Sequence, residues 1–260
     1  MKRRTLSGVI IFLLICQVQA QNSLLRGKWS DNTAYTLKKG NWETGIIQPF
    51  RYGLTGRTEL RTNLLLMPVL PNIGIKTTLY TGNELVVASE HAVSYPTLFL
   101  KVVSRKGIGG LISPQYDFPF LLAVNNSLIT SKPVSANALL SIDVGLAFTI
   151  RGQKPDPQAT IDLPFIYPRM AHYYQGVSIR TGLSYKGLLT DRLFYDEQLR
   201  LFQITRNSDN VFVENGGSLM WAVCHSLRLK GGYAFSWGKY PFGKHFQLWP
   251  TVDIVFGSNR

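Results

Sequence analysis

Cysteine is almost absent from this 260-residue chain, Cys16 and Cys224 being the two present, so no disulfide framework holds the fold together. Long apolar runs are missing as well. The stretch Val9–Cys16 falls far short of the roughly 20 apolar residues that a membrane-spanning helix needs. Histidine is sparse and scattered: His91, His172, His225 and His245 have no metal-ligand spacing and no paired cysteines beside them, so no metal site is expected. His225 and His245 are read as residues of interfacial turns or loops. The chain also lacks a Gly-x-Ser-x-Gly elbow and a phosphate-cradling glycine loop, and nothing in it implies a cofactor. No linker or low-complexity tract divides it.

Acidic residues are in short supply, 15 Asp and Glu against 28 Lys and Arg. Such a surplus would suit nucleic acid, but an exported chain without a basic cluster interleaved with aromatics does not fit that class. Outer-membrane lipids and lipopolysaccharide, whose head groups are anionic, fit it better. Export is read from the first twenty residues: Lys2, Arg3 and Arg4, an apolar run from Val9 to Ile15, then Val18-Gln19-Ala20 as a cleavage site. Cys16 follows Ile15 rather than the small residue of a lipobox, which argues against lipidation. Residues 1–20 are therefore expected to be removed as a signal peptide, leaving 21–260 as one domain. Three of the basic residues and none of the acidic ones go with the signal, so the mature chain stays strongly basic.

A two-residue period runs along that domain. Ile142, Val144, Leu146, Phe148 and Ile150 alternate with Asp143, Gly145, Ala147, Thr149 and Arg151, and the dyad recurs over Val177–Lys186 and Ser226–Trp237. Strand side chains point alternately to opposite faces, so a wall with lipid outside and polar groups inside must alternate in this way. A soluble sandwich alternates too, but its strands average ~5–6 residues. These run about ten, the length a tilted strand needs to cross the hydrocarbon layer. The reading is an all-β fold, an antiparallel up-and-down transmembrane β-barrel of about twelve strands, with ten to fourteen open.

Turn residues place the strands at 42–51, 57–67, 72–80, 84–90, 97–104, 120–131, 138–151, 176–187, 192–205, 211–223, 226–238 and 245–256. The long connections Arg105–Pro119 and Gly152–Gln175 then fall at one end, the second folding over the mouth. Pro68–Pro71, Leu189–Asp191 and the Cys224–His225 region fall at the other. Gly53–Gly56 is a short turn on the long-loop end, which an extra strand around Asn32–Leu37 would reverse. Trp42, Tyr52, Tyr185, Trp237 and Trp249 near strand ends suit aromatic girdles. Val252, Ile254 and Phe256 close the chain with alternating bulk, similar to the C-terminal signal recognised by the outer-membrane assembly machinery, although Gly257–Arg260 follow it.

Several segments carry a family likeness. Thr36-Leu37-Lys38-Lys39-Gly40, Trp42-Glu43-Thr44-Gly45, the run Arg51–Leu60, Thr160–Arg169 and Tyr240-Pro241-Phe242-Gly243 resemble an uncharacterised family of Gram-negative outer-membrane β-barrel proteins. The likeness spans most of the mature chain, departs at Gly56 where relatives often place aspartate, and implies a fold and a location without an activity.

Two sets of residues invite chemistry. Ser89 and His91 share one face of a strand, the spacing a nucleophile and its base would need, with Glu90 facing away; a plain strand end before Tyr95-Pro96 needs no special geometry and is the favoured reading. The larger set is Arg57, Arg61, Lys76, Arg151, Arg180, Lys186, Arg228 and Lys230, all assigned to the small-residue face with only Glu59, Asp143 and Asp253 beside them. Basic rings in pores favour anions, so passage of small anionic solutes through a basic lumen is the leading expectation. Set against it are a non-conducting structural or surface-interaction barrel, in which loop acids neutralise and fill the bore, and a barrel hydrolase acting on lipid or peptide.

Overall fold

The computed structural model describes residues 31–204, 211–224 and 226–258; the expected signal peptide and His225 lie outside them. Twelve antiparallel strands close into a barrel in which each strand pairs with its sequence neighbours and the first pairs with the last. They are β1 (Trp42–Gly45), β2 (Phe50–Gly53), β3 (Thr58–Thr62), β4 (Asn72–Thr81), β5 (Val86–Ser94), β6 (Leu121–Ser135), β7 (Ala138–Arg151), β8 (Val177–Thr190), β9 (Leu193–Ile204), β10 (Val211–Ala222), β11 (Leu227–Tyr240) and β12 (Gly243–Ser258). Two short helices, α1 (Thr97–Val103) and α2 (Tyr167–Gln175), lie in the connections after β5 and β7.

The alternation behaves as its physics demands. Ile142, Val144, Leu146 and Ile150 face outward and exposed, as do Ile73, Ile75 and Leu79 on β4 and Leu248 and Val252 on β12. Between them, Lys76, Ser131, Ser141, Ser184 and Ser236 point into the bore and are buried.

The strand count of twelve is reached by two departures that offset each other. The segment 42–51 is two strands rather than one, because residues 46–49 turn back on themselves: the Asp253 carboxylate accepts the Ile46, Ile47 and Gln48 amides at 2.8, 3.1 and 2.8 Å. In place of the strand expected at 97–104, residues 97–103 form α1. Pro96 sits at its start, and Thr97, Leu100 and Val103 are buried at a three-residue spacing that matches a helix face. The splitting puts Pro68–Pro71 at the long-loop end and Gly53–Gly56 at the short-turn end, reversing both expectations without a strand at 32–37. β3 stops at Thr62, short of residue 67, since the Asn72 side chain accepts the Asn63 amide at 2.6 Å and donates to the Leu70 carbonyl at 2.7 Å, folding 63–71 into a loop.

Residues 31–41 run inside the barrel. Their backbone meets the tip of β2, with Gly40 donating to the Gly53 carbonyl at 2.8 Å and Gly53 to that of Asn41 at 2.9 Å. A Cβ at Gly53 would lie 2.1 Å from the Lys38 carbonyl oxygen, so the approach depends on glycine. Gly53→Ala is expected to detach this segment while the barrel stays closed. Limited trypsin digestion should cut at Lys38 or Lys39 faster in the variant, with the unheated gel mobility of the folded barrel unchanged; equal cleavage rates would contradict the packing.

Candidate functional site: a chamber between plug and lid

The segment 31–41 forms a floor at the short-turn end of the bore. Ala34 packs on Val86, Ala88 and Ile129, and Tyr35 on Leu139 and Phe194. Its polar backbone atoms are met by the wall: the Leu37 amide by Glu59 at 2.9 Å, the Ala34 amide by Ser131 at 2.8 Å and the Thr33 carbonyl by Lys76 at 3.3 Å. Buried main chain tolerates few orphan groups, so these contacts make the plug specific rather than merely space-filling. Glu59 and Lys76 pair at 3.0 Å, both fully buried. Asp31 receives Arg61 at 3.0 Å. Burial pushes the Asp31 carboxyl up, but Arg51, Lys186, Arg61 and Lys230 around it overcome that and hold it well below the usual carboxylate range.

The roof is α2 with the rest of the β7–β8 connection. Arg151 donates to the Tyr173 and Tyr174 carbonyls at 3.1 and 2.9 Å, satisfying the end of the helix, where Gly176 takes a φ of 94°. Tyr167 and Ala171 pack on Phe202, Ile204, Phe212 and Tyr240 from the upper wall. On its other side the helix joins Leu100 and Val103 of α1 and Ile161 in one apolar cluster. The expectation that Gly152–Gln175 folds over the mouth matches this arrangement. Arg169 reaches from α2 to Glu214, its two terminal nitrogens at 2.5 and 2.7 Å from the carboxylate oxygens.

Between floor and roof lies a cavity of about 710 Å³. Arg61, Arg169, Arg180, Arg200 and Lys230 line it together with Asp31, Glu90, Asp143 and Asp253. Asp143 reaches Arg180 at 3.0 Å across Gly182, where a Cβ would sit 2.0 Å from the carboxylate. Arg61 is held at 2.5 Å by Glu90, and Lys230 approaches Asp196 at 4.0 Å. Among the described residues, Arg200 is the chamber cation with no carboxylate within 4.0 Å; its guanidinium donates to Gln198 at 2.7 Å. Its cross-strand neighbours are Glu214 and Gly182, and the nearby acids Glu214 and Asp143 are already engaged by Arg169 and Arg180.

Six of the eight expected lumen cations, Arg61, Lys76, Arg180, Lys186, Arg228 and Lys230, do point inward. Arg151 stands at the upper rim as a helix cap, and Arg57 is exposed in the turn before β3. The expectation of few acids on that face is corrected: Asp31, Glu43, Glu90, Asp196 and Glu214 also face the bore, and Glu43 alone pairs with Arg51 at 2.5 Å and Arg228 at 3.2 Å. Arg51, Arg169 and Arg200 were not legible as lumen residues, since two lie in or beside connections and Arg200 sits on a strand with weaker alternation. Ser89 and His91 face outward. The His91 ring hydrogen-bonds Asn126 on β6 at 2.7 Å, and no bond to Ser89 exists among the described residues. Trp42, Tyr52, Tyr185 and Trp237 are exposed on the outer surface, whereas Trp249, though exposed, shares the inward parity of Thr251 and Asp253 on β12 and pairs with Ala234, so the expected girdle position is corrected there. Val252, Ile254 and Phe256 also lie on β12's outer face.

No family model and no curated protein matches the chain. Among solved structures it is similar to OmpT, an outer-membrane protein of Vibrio cholerae, in its trimer form, at 8% identity and a TM-score of 0.41, over 80% of this chain and 62% of that one. A loop-deletion mutant of OmpT is similar at a TM-score of 0.40 and 8% identity, over 84% and 59% of the two chains. The CymD monoaromatic hydrocarbon channel is similar at 0.38 and 10%, over 84% and 50%. The chain thus spans about three-fifths or less of the length of the structures it matches.

His172 on α2 supplies a pH test. It is buried, both ring nitrogens lack hydrogen-bond partners among the described residues, and burial pushes its pKa down to about 4. A histidine docked neutral stabilises its site fully above the unfolded value of about 6.5 and loses that contribution as pH falls toward 4, up to about 3 kcal/mol. Hydrogen exchange of residues 167–175, with each rate divided by its intrinsic rate at the same pH, should show protection falling between pH 6.5 and 4 in the native protein and staying flat in His172→Phe; a profile identical in both would remove His172 from the docking.

Proposed function

We propose that the protein is an integral outer-membrane barrel, exported through the cleaved signal of residues 1–20 and inserted by the assembly machinery through its last strand. In this reading its outer wall is solvated by outer-membrane lipids and lipopolysaccharide, and its chamber takes a small anionic solute. The outward-facing apolar wall supports the location. A closed barrel is one of the few structures that leaves no backbone group unpaired in hydrocarbon. Arg200 carries the ligand reading. It faces a cavity within the size range of small-molecule sites, its neighbouring acids are spent on other arginines, and an incoming carboxylate or phosphate would supply the missing counter-charge.

Passage is gated rather than open, because residues 31–41 fill one end of the bore and α2 covers the other. In planar bilayers the purified protein should rest at low conductance. Deleting residues 31–41 should raise the current severalfold, with a reversal potential that favours anions. A large resting current would contradict the gating, and cation preference in the opened variant would contradict the anionic ligand. If the deletion opens nothing although the barrel is folded, the filled bore is permanent and the non-conducting structural reading takes its place.

A further inference from the structure

The barrel wall has a gap. β1, β2 and β3 are four, four and five residues long, whereas β11 and β12 have 14 and 16. At roughly 3.3 Å per residue the wall falls from ~50 Å of strand to ~15 Å within one step. β12 meets β1 only at Val255–Ser258; above that, among the described residues, Gly243–Ile254 pair with β11 alone. Pro250 sits in the middle of this stretch, as an open strand edge permits.

Two connections stand in the gap, 46–49 and 63–71, and both are apolar where water-facing loops would be polar. Ile46, Ile47, Leu64, Leu65 and Met67 are exposed, and on the adjoining edge Val252 is 73% and Phe246 70% exposed. The central chamber extends to this place. Ile47, Leu66, Leu70 and Val252 line it on this side, in the same cavity as Arg180 and Arg200. An open strand edge cannot face hydrocarbon, because its amides and carbonyls would be orphaned there; it is tolerated where it lines a cavity. The three amides that Asp253 binds hold the 46–49 turn across the opening, and Gly45 leaves room for that carboxylate, a Cβ there lying 2.5 Å from it.

We infer that the chamber is entered sideways from the membrane, and that its ligand is a single-chain amphiphile with an anionic head, a carboxylate or a phosphate monoester. The head sits at Arg200 and the chain lies along the apolar rim toward the lipid. This rests on the anion-binding reading of Arg200 and adds the tail and the route. One chamber presents unspent positive charge together with aliphatic side chains at an opening that faces the bilayer. A water-soluble anion would use only the first of these.

The test is equilibrium binding of radiolabelled laurate and dodecyl phosphate to the purified full chain in non-ionic detergent, with butyrate and dodecyltrimethylammonium as comparators. Laurate or dodecyl phosphate should bind at least about tenfold tighter than either comparator, since each buried methylene adds favourably. Arg200→Gln should remove that advantage over the cation, and Leu66→Lys or Val252→Ser should weaken laurate while leaving butyrate unchanged. Folding of each variant is read from its unheated gel mobility. Butyrate binding as tightly as laurate overturns the sideways route but keeps the anion site. If nothing binds, both readings fall, and equal binding of dodecyltrimethylammonium overturns the anionic head.

Discussion

Four residue pairs, Trp42 with Ser258, Glu43 with Gly257, Thr44 with Phe256 and Gly45 with Val255, close the wall into a ring. Ring closure is the constraint from which the remaining features follow. A sheet of this size with open edges would present unpaired amides to lipid or to other sheets. Once the first and last strands meet, each side chain has one of two fates, outward or inward, and the two-residue period sorts them. The seam also carries the bore's electrostatics: Glu43 on β1 draws Arg51 from β2 and Arg228 from β11 to the same point.

Charge inside the bore is arranged to be spent locally. A lone lysine or arginine facing apolar neighbours would be costly, and each paired one here is held by a carboxylate from the plug or from a wall strand, in several cases two strands away. Lys186 exemplifies the economy, donating to the Asp31 carbonyl at 2.5 Å while standing 3.3 Å from Asp196. Arg169 does the same from above, tying α2 to Glu214. Plug and lid are thus fixed by charge-assisted hydrogen bonds that reach across the interior, and Arg200 stands out because the pairing scheme stops at it.

The architecture was legible because period two over ten or more residues leaves little choice, as in Ile142–Ile150. Where the pattern is short or interrupted, other forces decide. At Ile46–Gln48 a carboxylate more than 200 residues away in sequence supplies the turn, and no local signal could announce it. At Thr97–Val103 a run rich in bulky residues suits strand and helix alike until the partners on α2 are known. The lumen cations on strands followed from alternation, but their neutralisation did not, since Asp31 comes from the plug rather than from a strand and Glu90, Asp196 and Glu214 sit on strands whose inner face was not resolved by pattern.

Because everything inside depends on the closed ring, the seam is the place to test it. In a Cys224→Ser background, Thr44→Cys and Phe256→Cys place two thiols on paired residues of β1 and β12, on the outer face. The account predicts that they oxidise to an intramolecular disulfide in isolated membranes, seen as a mobility shift reversed by reductant, while Thr44→Cys with Leu248→Cys does not. Failure of the first pair to join, or equal joining of both, would contradict a barrel closed through these two strands.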